Sequence, residues 1–204
     1  MALWHAVCTL YDGLSGGDVL VLMDALHFGR AHIPGLSIDG LTGSWLALIA
    51  CERFDKMTFC ATAARIGTAQ GWADHSATVP TDGVAKITAS TQDSWLILRH
   101  VNPNPTPVRD MIDNFVSTSV EGDVGCRYPL VRTDYRALLN MISNPQLAIA
   151  GRDAPVCKPN ELAVIATTVR RGNLCILPVR HLVNMKSAMA SSHALALLLL
   201  RISF

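Results

Sequence analysis

The stretch EGDVGCRYP, Glu121 to Pro129, gathers the residue types of a turn that could present a nucleophile: Gly122, Asp123, Gly125 and the thiol of Cys126. Glycine permits the backbone angles of a tight turn, and aspartate can bond back to nearby amides. A reactive side chain on such a turn would cleave acyl bonds if a histidine took its proton and free N–H groups held the oxyanion.

The stretch resembles the loop G-D-[Ser or Cys]-G that carries the nucleophile in chymotrypsin-like serine and cysteine proteases. That resemblance implies a double β-barrel, an early histidine and an intervening acid. His27 or His32, with Asp55, Asp74 or Asp82, would stand in that order. The sequence departs from the pattern at one position, since Val124 occupies the place of the nucleophile and Cys126 lies two residues on. No complete catalytic set follows, so no catalytic residue is assigned, and Glu121 to Pro129 is expected to be a turn leading into an extended segment at Pro129.

Other chemistry is thinner. His27 and His32 are five residues apart, which fits neither a helical metal pair nor one face of a strand. GLSGGD and GLTGS contain glycines but no lysine at a phosphate-loop position, so no cofactor or metal site is expected. Arg127, Arg132, Arg136, Arg170 and Arg171 fall in or near expected turns, where they could contact phosphate or a neighbouring subunit. The six cysteines have no C-x-x-C spacing and read as buried free thiols.

Composition restricts the class. The chain has 204 residues, enough for one well-buried domain over 1–204. Only 16% of residues are charged, against roughly 25% in ordinary soluble domains. The charges are uneven, with 13 Arg against 4 Lys and 13 Asp against 3 Glu. Lys and Glu favour solvated surfaces and helices, whereas Arg is retained at covered interfaces. With a net charge of +1 and no basic arm, contact with nucleic acid is expected to be weak or absent. No signal peptide and no apolar run of membrane-spanning length is evident, so an intracellular soluble or virion location without membrane contact is expected.

Short apolar stretches bounded by Gly, Pro, Asp and Asn recur: LWHAVCTL, SWLALIAC, MTFCATAARI, GVAKITAS, SWLILRHV, ELAVIATTV, NLCILPV and HALALLLLRISF. They read as strands. TPVRDMIDNFVS and TDYRALLNMIS read as helices, and GGDVLVLMDALHFG reads as a helix capped by Asp18 and ended by Gly29, the alternative being a buried strand over Val19 to Met23. NPNPTP, Asn102 to Pro107, reads as a loop within the domain. The expected fold is therefore mainly β: a single-domain, jelly-roll-like β-sandwich with two or three short helices in its connections, the alternative being a chymotrypsin-like double β-barrel. The expected function is a structural subunit of a large assembly, such as a viral capsid, coat or shell protein, partnered by itself and other subunits. The alternatives are a chymotrypsin-like hydrolase, or its inactive relative, and an accessory subunit of a cellular complex.

Overall fold

The computed structural model describes residues 16–74, 106–186 and 192–196, with positions 77, 84, 88, 94, 95 and 189. Its frame is a four-stranded sheet in chain order, β1 (Ala31–Leu36), β2 (Phe54–Cys60), β3 (Gln146–Gly151) and β4 (Gly172–Leu177), with every neighbouring pair parallel. Parallel neighbours need crossovers. Helix α1 (Gly16–Ala25) precedes β1, α2 (Ile38–Ile49) links β1 to β2, and α5 (Pro159–Thr168) links β3 to β4. Between β2 and β3 lie α3 (Thr106–Val116) and α4 (Val120–Arg132), and after β4 comes the short α6 (Val183–Lys186).

This is an α/β architecture. It overturns both the β-sandwich and the double-barrel expectation, because the sheet is parallel and flanked by helices. The error has a physical source in two apolar runs. Trp45 to Ile49 belongs to α2, and an unbroken block from Gly40 to Leu48 is buried there. A helix covered all round carries no amphipathic period, so its sequence matches a buried strand equally well. Its hydroxyls are satisfied internally, Thr42 donating to the Ile38 carbonyl and Ser44 to the Gly40 carbonyl. ELAVIATTV is likewise helical, in α5. It buries Leu162, Ile165 and Ala166 at helical spacing, and its first turn is fixed by the Lys158 N–H donating to Glu161 Oε2 at 2.6 Å.

Other expectations fared differently. GGDVLVLMDALHFG and TPVRDMIDNFVS form α1 and α3, and MTFCATAARI and NLCILPV contain the end of β2 and most of β4. TDYRALLNMIS forms turns and a 3₁₀ segment at Leu139–Met141 instead of an α-helix. Val120–Arg132 is the helix α4, so EGDVGCRYP is not the turn expected of it. LWHAVCTL, most of GVAKITAS, SWLILRHV and HALALLLLRISF, and Asn102 to Pro105 of NPNPTP lie outside the described residues.

The core forms between the sheet and its helices. Phe54, Met57 and Phe59 of β2 meet Leu41, Trp45 and Leu46 of α2 and Leu162 and Ile165 of α5 in one apolar cluster. Across the sheet, Ala61, Leu147, Ile149, Leu177, Val179 and Val183 form a second. Asn144 ties the entry of β3 to that of β2, its buried Nδ2 donating to the carbonyls of Cys51 and Phe54 at 2.9 and 2.7 Å. Removing it takes a buried donor from the Phe54 carbonyl and one of two donors from the Cys51 carbonyl, so Asn144→Ala is expected to cost about 1–3 kcal/mol in urea unfolding.

Candidate active site

Between β1 and α2 the chain turns on a single residue. Ser37 has φ 59° and ψ −116°, a conformation strained for any residue with a Cβ. Two bonds from the end of β2 hold it there. The Ser37 N–H donates to the Cys60 carbonyl at 2.9 Å, and Thr62 Oγ1 donates to the Ser37 carbonyl at 2.7 Å. The turn is also sterically exacting, since a Cβ on Gly35 would lie 2.4 Å from the Asp39 carbonyl oxygen. The strained geometry sets the hydroxyl at the carboxyl end of the sheet, beside the N-terminus of α2.

His181 meets it from the segment after β4. The ring is buried, with 5% of the residue exposed, and Nε2 lies 2.9 Å from Ser37 Oγ across 144 residues of chain. The approach depends on β3, because Gly151 packs against the Arg180 and Val179 carbonyls. On the other side, the Leu182 N–H donates to the Trp95 carbonyl, and the Trp95 ring stands edge-on to Phe115 of α3 at 4.9 Å. The region between β2 and β3 thus reaches the histidine.

Burial holds the His181 pKa below the ordinary 6.5, only partly offset by the nearby Val156 backbone. The ring is therefore neutral at neutral pH and able to take a proton. Because a lowered pKa keeps the base form to lower pH, the acid limb of kcat/KM is expected to have its midpoint below 6.5. A pH–rate profile on an ester substrate checks this. Nearby thiols do not compete as nucleophiles, since burial and the neighbouring Cys175 push Cys60 up to about 12 and burial raises Cys157 further.

The five arginines do not converge. Arg127 is buried on α4 against Asp123 at 2.7 Å, Arg132 closes the same helix, and Arg136 pairs with Asp134 in the following turn. Arg170 and Arg171 precede β4, where Arg171 lines a cleft with Arg30, His32 and Lys56 near the starts of the strands. Cys126 is exposed on α4. The pair that matters was missed. Its signal is the run HIPGLSIDG, an apolar strand, Gly-x-Ser and an apolar helix, but the nucleophile-elbow pattern G-x-S-x-G is broken by Asp39, with Gly40 one position late. His181 carries no local motif at all.

A strained serine between a parallel strand and a buried helix, met by a histidine from beyond a later strand, defines an α/β-hydrolase fold. Two solved structures superpose closely. One is a hydrolase from Pseudomonas aeruginosa PA01, with TM-score 0.85 and 32% identity over 90% of this chain and 70% of the other. The second is the enol-lactonase of Burkholderia xenovorans LB400, with TM-score 0.86 and 29% identity over 90% and 71%. In sequence, 3-oxoadipate enol-lactonase 2 of Acinetobacter baylyi is 32% identical over 179 residues, which are 88% of this chain and 67% of the relative. The chain belongs to the enol-lactonase family of α/β hydrolases. It spans about two thirds of the length of its curated relatives. No protein-family model matches it.

Membership in an enzyme family replaces the capsid or coat reading, and nothing supports a virion location. The hydrolase alternative comes nearest, although on another fold and other residues than Glu121 to Pro129. Among the described residues, no helix is long and apolar enough to cross a membrane.

Proposed function

We propose that this chain is a serine hydrolase that opens an enol-lactone or similarly activated ester through an acyl-enzyme on Ser37. The observation that carries the reading is the 2.9 Å approach of His181 Nε2 to Ser37 Oγ on the strained turn. In the first half-reaction Nε2 takes the hydroxyl proton as Oγ bonds to the carbonyl carbon. The carbonyl electrons move to the oxyanion, for which the Ile38 N–H is a ready donor, being the first residue of α2 and without an acceptor inside the helix.

Collapse breaks the ring C–O bond, the departing oxygen takes the proton from His181, and the opened chain stays attached through the acyl carbon. A water molecule, deprotonated by the same nitrogen, then releases the acid and restores Ser37. An enol oxygen leaves more readily than an alkoxide, which suits a modest acid–base pair. The names of the relatives, enol-lactonases, support this substrate class. The test is active-site labelling. A fluorophosphonate probe followed by peptide mapping is expected to modify Ser37, and modification elsewhere, or none, ends the reading.

A further inference from the structure

The proposed reaction uses one nitrogen of His181, and the other is in an unusual position. For Nε2 to accept from Ser37, the neutral ring must carry its proton on Nδ1. Nδ1 is buried without a hydrogen-bond partner. In a serine–histidine–acid triad a carboxylate accepts that proton, fixes the tautomer and stabilises the imidazolium that forms.

The turn after β3 lies beside the ring. The Val156 backbone there is close enough to favour the charged ring slightly, but it supplies no hydrogen bond of good geometry and carries no charge. The side chains of this turn divide sharply. Arg152 and Asp153 face solvent, whereas Ala154 is buried with 6% exposure. Asp153 is held outward, accepting from Arg152 Nε and Nη2, each at 3.2 Å, while its own N–H donates to the Val179 carbonyl at 3.0 Å. The bonds from Arg152, and the charge of Arg180, keep its carboxyl below the usual range. The next acid along, Glu161, is engaged in capping α5. The carboxylate of this turn thus stands one residue away from the inward position, which holds a methyl group.

Resting on the hydrolase reading above, we propose that Ser37 and His181 act as a two-residue unit with no carboxylate of the described residues behind the histidine, and that Ala154 occupies the place from which one would act. Loss of the acid from a complete triad lowers kcat by about 10⁴-fold. The chain is accordingly a slow hydrolase, whose imidazolium is uncompensated in each transition state and whose ring tautomer is unenforced.

The experiment compares the full chain with Asp153→Asn and Ala154→Asp, following fluorophosphonate labelling of Ser37 and hydrolysis of p-nitrophenyl acetate. Asp153→Asn is expected to stay within about threefold on both readouts, because the carboxylate it removes does no chemistry. A loss of about 100-fold or more overturns the proposal by showing that Asp153 swings inward. Ala154→Asp is expected to raise kcat by at least about tenfold and to add a downfield imidazole N–H proton resonance. A folded Ala154→Asp chain, judged by an unchanged melting transition, with neither gain overturns the placement of residue 154. Failure of Ser37 to label in the unsubstituted chain removes the hydrolase reading itself, a result distinct from both.

Discussion

Ser37→Ala is expected to lower ester hydrolysis by about 10³-fold or more, to the level left by binding and the oxyanion donors, and to cost in stability only the hydroxyl's bond to the buried His181 ring, about 1 kcal/mol. The hydroxyl bonds to His181, whereas the backbone of the residue is what the structure clamps, through Cys60 and Thr62. A companion substitution separates chemistry from strain. At φ 59° any Cβ is disfavoured, so Ser37→Gly is expected to abolish hydrolysis equally while being about 1 kcal/mol more stable than Ser37→Ala, which lacks the same hydroxyl. Thermal denaturation and steady-state kinetics on the two variants read these effects independently. Equal melting temperatures for Ser37→Gly and Ser37→Ala would show that the turn stores no strain.

That strain was invisible in the sequence. Residue types reveal a turn where glycine, proline or asparagine marks it, yet the backbone of Ser37 is forced by tertiary bonds from the end of β2 rather than by its own preference. With Asp39 in place of the motif's last glycine, the local pattern also fails. The strands were partly legible, because the end of β2 and most of β4 are short apolar runs. Helices α2 and α5 were not: α2, buried from Gly40 to Leu48, loses the polar face that gives the helical period its contrast, and α5 carries the apolar Val164 on its exposed side. Once those two were read as strands, the parallel sheet became a sandwich and the βαβ crossovers disappeared. His181 is positioned wholly by packing after β4, so no spacing rule reaches it.

The dependence of His181 on packing leads to the second large effect, expected at Gly151. A Cβ built at this last residue of β3 would lie 2.1 Å from the Arg180 carbonyl oxygen and 2.8 Å from that of Val179. Both are backbone atoms and cannot turn aside as a side chain would. Gly151 is itself paired into the sheet, opposite Leu177 of β4, so the strand cannot retreat without breaking its ladder. The strain in Gly151→Ala must therefore move the 179–181 segment, which carries the imidazole that faces Ser37. A displacement of about 1 Å at a reacting pair costs on the order of 10²-fold in rate. Overpacking of this kind destabilises by about 1–3 kcal/mol. Gly151→Ala is thus expected to fold, melt at lower temperature and fall about 100-fold in kcat with KM little changed, because the displaced imidazole serves the chemical step rather than substrate binding. Full activity in a destabilised Gly151→Ala chain would mean that the sheet end yields and the histidine stays where it is, and would locate the rigidity of the site in the serine turn alone.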